Sequence, residues 1–210
     1  MSTFVLASAS PARLATLRQA GVEPLVVVAD VDEPAVVDEY AARAGAPLSA
    51  EEVSLVLART KAEVVTARVD QALVLGCDSV LELDGEVHGK PAGPDEAVAR
   101  WRRMRGRTGV LHSGHWLVDA REDGSGATIG AVASTLVRFA QVSDAEIEAY
   151  VATGEPLRVA GAFTIDGLGG AFVDGVDGDP HAVVGLSLPL LRRLLADVGV
   201  AWTSLWRRPG

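Results

Sequence analysis

Several residues of this chain combine side-chain types and positions that suit the handling of an anion. The first group is Ser8-Ala9-Ser10-Pro11-Ala12-Arg13. A short apolar run leads into two hydroxyls, a proline suited to a first helical position, and an arginine in the first turn. A helix N-terminus offers unpaired N–H groups and a partial positive charge, and both favour phosphate. Arg13 sits badly against that dipole unless an anion shares the site. The stretch also reads as a serine-capped helix start with a surface arginine. Lys61, in LARTKAEVV, either stands on a solvated helix face or adds a cation to the same site. Asp78, in VLGCDSV, directly follows an apolar run, at a strand's carboxyl end where α/β folds place ligands. It could hold a divalent cation, take a proton from water, or cap a local turn. Asp32 and Glu33 are either a second carboxylate source for a shared metal or part of an acidic, solubilising segment. Lys90 lies in the tight turn Gly89-Lys90-Pro91, without the glycine-rich lead of a Walker P-loop.

Other chemistries are disfavoured. The formal charge of −9 argues against attraction of the whole surface to nucleic acid or an anionic membrane. No apolar run reaches the roughly 18 residues that cross a bilayer. The N-terminus lacks a signal-peptide pattern. Cys77 is the single cysteine, which excludes an internal disulfide framework and suits a reducing compartment. It reads as a small buried apolar residue rather than a nucleophile. His112 and His115 are not in a zinc spacing, and no G-x-S-x-G elbow is present. Residues 100–107, RWRRMRGR, predict a helix with an exposed basic face, a weak candidate for an RNA patch against the acidic total. The expectation is a cytoplasmic protein without a membrane or nucleic-acid partner.

The elements that must position these groups follow from pattern. Phe4–Ala7 is a buried strand, and Pro11 opens a helix with Leu14 and Leu17 inward and Gly21 as its stop. Leu25–Ala29 reads as a second buried strand. Residues 30–47 read as an irregular acidic segment, too long for a structural turn and a candidate lid. Ala50–Arg68 is a helix with Val53, Leu57 and Val64 on one side. Val80–Val87 is a hairpin turning at Asp84-Gly85. Pro94–Met104 is a helix, and Val110–Val118 and Ala127–Phe139 are long strands. Ser143 and Glu146 form a capping box. The glycine-rich stretch 160–179 is turn-rich, and Val184–Val198 is one amphipathic helix. With 49% apolar residues and no linker, the chain reads as a single domain over 1–210. Its class is mixed α/β, a partly antiparallel sheet with flanking helices.

In order and spacing, S-x-S-P-x-R, D-E, L-A-x-x-K-A, G-x-D-S, G-K-P, G-R before a strand, E-P-x-x-x-A-G-A-F and V-V-G-L resemble the Maf family across nearly the whole chain. These are the septum-formation-inhibitor-like nucleotide pyrophosphatases. The resemblance implies two lobes around a cleft, in a fold like that of inosine triphosphate pyrophosphatases, often as a homodimer. It implies hydrolysis of a nucleoside triphosphate to monophosphate and pyrophosphate with a divalent cation, Mg or Mn. It assigns Asp78 as proton acceptor, Ser8 and Arg13 with nearby Ser10 as phosphate ligands, and Lys61 and Lys90 as the lysines. Asp32 and Glu33 are its acidic pair, sharing a metal with Asp78. Three specificity positions depart from the family pattern. Members acting on thymidine and uridine triphosphates carry arginine, threonine and glutamine there. Members acting on methylated guanosine triphosphate carry tryptophan, glutamine and glutamate. This chain has Ala12, Ser79 and Asp166. A non-catalytic nucleotide-binding regulator of cell division is the alternative suggested by the family's naming.

Overall fold

The computed structural model describes residues 3–207. Its strands join one seven-stranded mixed sheet, in the order β2-β1-β3-β5-β6-β7 with β4 paired to β3. β1 (Thr3–Ala7) runs parallel to β2 (Leu25–Val26) and to β3 (Ala72–Leu83). The rest is antiparallel: β4 (Glu86–His88), β5 (Thr108–Asp119), β6 (Thr128–Phe139) and β7 (Val173–Asp177). The helices are α1 (Pro11–Gln19), α2 (Glu33–Ala44), α3 (Ala50–Thr66), α4 (Pro94–Met104), α5 (Asp144–Ala152), α6 (Pro180–Val184) and α7 (Leu188–Asp197). Among the described residues no helix is long and apolar enough to cross a membrane.

β3 is the organising strand, buried along most of its length. β1 follows it only from Ala72 to Gly76, whereas β5 pairs with it from Leu73 to Glu82. Asp78 therefore lies within a continuous strand, not at its end as the sequence pattern suggested. The point where β1 stops leaves one side of the strand open beside Asp78. One apolar cluster packs α1 and α7 against β1 and β3, around Leu6, Leu17, Leu75, Leu191 and Leu195. A second packs α4 and α5 against the far half of the sheet. There Trp101 meets Phe139, Tyr150 and Phe172 edge-to-face and donates its indole N–H to Ala162 O at 2.7 Å.

α3 crosses β3 and β5 at near-backbone contact. A Cβ built on Gly76 would lie 2.0 Å from Ala58 O, and one on Gly114 2.3 Å from Ser54 O. The helix meets the sheet through the small stripe Ser54, Ala58 and Ala62, with Val65 buried below. Val53 and Leu57 face a separate small cluster with Val80, and Val64 is only half-buried. The helix starts at a capping box, with Glu52 N–H on Ser49 Oγ at 3.2 Å and Ser49 N–H on Glu52 Oε2 at 2.8 Å. The box at Ser143 and Glu146 and the hairpin at Asp84-Gly85 form as expected, the turn residues having φ of 54° and 79°.

Several expectations are corrected. Leu25–Ala29 is not a buried strand: β2 is a two-residue edge whose Leu25 and Val26 are exposed, and Val28 and Ala29 face a cavity. Their apolar character serves a cleft wall rather than the core. Residues 30–47 are not irregular, because Asp32 caps α2, Pro34 sits in its first turn and left-handed Gly45 ends it. None of its residues is buried, which erased the helical pattern. The single helix over Val184–Val198 is two, broken by Gly185 at φ 114°. The glycine-rich stretch contains β7. The basic face of 100–107 is neutralised. Arg100 is buried against Glu96, Arg102 and Arg105 pair with Asp144, Arg103 with Glu86 and Arg107 with Asp84.

His115 is fully buried in β5. Its Nδ1–H donates to Ser113 O at 2.9 Å, and Nε2 accepts from Ser187 N–H at 2.8 Å, fixing the residue that caps α7. Burial depresses its pKa from 6.5 to about 4. The folded state therefore resists a proton that the unfolded chain accepts, so stability is lost as pH falls through that window, by about 3 kcal/mol. Urea unfolding between pH 7 and pH 4 should show this loss, and His115→Gln should flatten it. A second expectation concerns the α3 contact. Gly76→Ala should destabilise the fold by about 1–3 kcal/mol, since the new methyl meets backbone and cannot be relieved by a rotamer. A denaturation midpoint equal to wild type would exclude the close contact.

Candidate active site

The open side of β3 beside Asp78 is the floor of a cavity of about 850 Å³. The β1–α1 turn, the start of α2 and the inner face of α3 form one side. The turn after β4 and residues 158–166 form the other. Ser8, Ser10, Ala12, Arg13, Glu33, Lys61, Asp78, Ser79, Lys90 and Asp166 all line it. Asp32 is not among the lining residues: its Oδ1 accepts from Ala35 N–H at 3.1 Å and caps α2. Its neighbour Glu33 is the member of the acidic pair that reaches the cavity.

At the floor, Lys61 Nζ lies 2.5 Å from Asp78 Oδ1 and 2.6 Å from Glu33 Oε1. Asp78 and Lys61 side chains are only about a tenth exposed (10% and 12%), and Glu33 is more open (44%). Burial raises the Asp78 pKa above the ordinary 3.8, while the charges of Lys61 and Arg13 pull it back. The result is a carboxylate with more affinity for a proton than a surface aspartate. Cys77 next to it is inert, its thiol pushed up to about 12 by burial.

Arg13 is not a surface residue. Its Nε donates to Gly185 O at 2.9 Å, Nη1 to Ser8 Oγ at 3.0 Å and Cys77 O at 2.8 Å, and Nη2 to Ser79 Oγ at 3.1 Å. These acceptors are all neutral, and one of the five guanidinium N–H groups stays free. The misfit of Arg13 at an N-terminus has a structural answer: the charge reaches the carbonyl of Gly185, the C-cap of α6, where the dipole favours a cation. The break at Gly185 that ended the expected long helix supplies this acceptor.

Donors remain for a ligand. Ser8 Oγ accepts from Arg13 and from Ser10 N–H, and Ser10 Oγ accepts from Arg13 N–H, so both hydroxyl protons are free. Pro11 has no N–H and Arg13's is capped, leaving the Ala12 N–H of the first turn for an outside acceptor. Among the described residues Arg13, Lys90 and Arg158, all lining the cavity, have no carboxylate within salt-bridge distance. The arrangement suits a polyanion held beside a buried base.

Two residues lay outside the set of candidate side chains. Arg158 carries a third uncompensated cation into the cavity. Glu155 anchors the loop bearing Asp166: its carboxylate accepts from Tyr150 Oη, Thr164 Oγ1, Leu168 N–H and Gly169 N–H. Burial opposes its ionisation, but these hydrogen bonds outweigh it and hold its pKa below the ordinary value. Glu155 opens the motif E-P-x-x-x-A-G-A-F, but that pattern gives its side chain no role.

For a metal, no group of three or more His, Cys, Asp or Glu among the described residues could hold an ion. Asp78 and Glu33 bring two hard oxygen donors together. That number fits Mg²⁺ or Mn²⁺, ions that complete their shells with water and substrate phosphate.

Hydroxyls, a helix N-terminus and uncompensated cations around one buried carboxylate define an anion-handling cleft on an α/β scaffold. The Maf-like protein family model matches residues 3–198, and the chain belongs to that family. It is 58% identical over 210 residues to a nucleoside triphosphate pyrophosphatase of Salinispora tropica, covering 98% of this chain and 88% of that one. It is 57% identical to the protein of the same name from Streptomyces coelicolor, covering 97% and 94%. A solved nucleoside-triphosphatase, a dITP/XTP pyrophosphatase from Mycobacterium abscessus, is 15% identical with a TM-score of 0.41, over 94% and 95% of the two chains.

The hydroxyl of Ser79 belongs to a directional chain. Ser113 Oγ donates to Ala182 O at 2.7 Å, so its contact with Ser79 Oγ, also 2.7 Å, is accepted from Ser79, which in turn accepts from Arg13. Ser79→Ala breaks this chain and should weaken binding of inorganic tripolyphosphate about three- to tenfold in calorimetry. Ser79→Thr, which keeps the hydroxyl, should restore it. Equal affinity in wild type and Ser79→Ala would mean that the other three bonds suffice to hold Arg13.

Proposed function

We propose that this protein hydrolyses nucleoside triphosphates to the monophosphate and pyrophosphate, with Asp78 as general base. The observation that carries the reading is the buried Asp78 carboxylate, 2.5 Å from Lys61, at the floor of a cleft whose other cations lack carboxylate partners. The family membership and the names of the relatives support the same activity.

In this reading the triphosphate lies along the cleft. The free N–H of Arg13, the hydroxyls of Ser8 and Ser10, and the first turn of α1 donate to its oxygens. Lys90 adds a second cation from the facing turn. Asp78 accepts a proton from a water that attacks the α-phosphorus. The bond to the bridging oxygen breaks and pyrophosphate leaves with the electron pair. Lys61 holds Asp78 and Glu33 in one orientation and keeps the base from rotating away. Asp78 and Glu33 are the residues that would hold Mg²⁺ or Mn²⁺, which when bound neutralises phosphate charge and polarises phosphoryl oxygens. Ala12, Ser79 and Asp166 border the cavity where substrates would be distinguished, and Ser79 acts there through Arg13.

Asp78→Asn should reduce pyrophosphate release by at least about 10²-fold, the usual contribution of a positioned base; it also takes from Lys61 one of its two counter-charges, so the thermal midpoint should fall, and release is measured at a temperature where the variant is still folded. In the wild type the acid limb of kcat/KM should lie above the ordinary carboxylate range, since Asp78 must be deprotonated to act and burial raises its pKa. Turnover of Asp78→Asn near wild type, or an acid limb at the ordinary aspartate value, would remove Asp78 from this role. Binding of the triphosphate without release by the wild type would favour a non-catalytic regulator.

A further inference from the structure

We propose that Arg158 is a substrate-binding residue that, with Lys90, holds the phosphates on a second wall of the cleft. The inference rests on the triphosphate reading of the site. The lining contains four cations, Arg13, Lys61, Lys90 and Arg158, and four carboxylates, Glu33, Asp38, Asp78 and Asp166. Without Arg158 the cleft of this acidic chain would be net negative before any substrate entered. The four cations are also differently engaged. Lys61 is committed to Asp78 and Glu33, and Arg13 gives four of its N–H groups to neutral acceptors. Among the described residues the side chains of Lys90 and Arg158 make no hydrogen bond or salt bridge.

The backbone that carries Arg158 is firmly built. It ends the 3-10 turn Pro156–Arg158, whose Pro156 is buried and whose preceding Glu155 binds the 164–169 loop. Three residues on, Gly161 N–H donates to Gly89 O at 3.1 Å, tying this turn to the one bearing Lys90. Arg100 Nη1 donates to the same carbonyl at 2.6 Å. Two side chains free of partners thus stand on turns fixed to each other. A cation exposed for solubility alone needs no such support. A guanidinium presents a planar fork that matches two phosphate oxygens, which a single ammonium cannot do.

The test compares wild type, Arg158→Ala and Arg158→Lys for pyrophosphate release from nucleoside triphosphates with Mg²⁺, and for binding of inorganic tripolyphosphate by calorimetry. Thermal midpoints are measured alongside. Arg158→Ala should raise KM about tenfold or more, the loss of one charge-assisted contact, with kcat within about twofold and the midpoint unchanged. Tripolyphosphate affinity should fall by a similar factor, and Arg158→Lys should recover part of both. Unchanged KM and tripolyphosphate affinity in Arg158→Ala would overturn the proposal. A raised KM with unchanged tripolyphosphate affinity would also overturn it, placing the contact on the nucleoside. If the wild type released no pyrophosphate, the hydrolytic reading would fall, and the calorimetry would still decide Arg158: affinity lost in the alanine variant supports it, and affinity kept overturns it.

Discussion

Much of this molecule depends on how closely α3 lies on the sheet. Two glycines in neighbouring strands, Gly76 and Gly114, meet backbone atoms of Ala58 and Ser54 with no room for a side chain. At that separation Lys61 reaches an aspartate of the central strand. A larger gap would leave Asp78 buried without a counter-charge, an arrangement costing several kcal/mol. The same contact seals the core under β3 and presents Lys61 to Glu33 at the start of α2. Packing geometry and site electrostatics are therefore one problem here, solved by small residues at 54, 58, 62, 76 and 114.

Charge is handled in two ways. Over most of the surface arginines are matched by acidic neighbours, and residues 100–107 show this throughout. In the cleft the matching stops. Arg13 is surrounded by carbonyl and hydroxyl oxygens, which orient a guanidinium without cancelling it. An acidic protein can in this way keep a guanidinium that no carboxylate cancels facing an anion, while its net charge remains −9.

Where the sequence was legible, the residues concerned act locally. Ser143 with Glu146 and Asp84-Gly85 form the predicted cap and turn, because each interaction closes within a few residues. The strands β5 and β6 were visible as two long strand-like segments. Misreadings came where apolar residues face the cleft. Val28 and Val37 looked like core or like no element at all, since a cavity wall is apolar without being buried in a periodic way. The helix break at Gly185 was hidden among apolar residues on both sides, and the contact it makes possible, from Gly185 O to Arg13, spans 172 residues.

By itself the sequence determined the mixed α/β class, the family pattern and most of the side chains that meet in the cleft. These depend on residue type, short spacing and the order of motifs. Tertiary structure alone decided which of Asp32 and Glu33 enters the site, that Ser79 and Ser113 hold Arg13, that the 100–107 arginines are neutralised, and that Arg158 is not. Each of these is a choice among partners distant in the chain. Such choices are made by sheet register and helix contact, which bring residues 13, 79, 113 and 185 within hydrogen-bond reach. No local pattern encodes that distance.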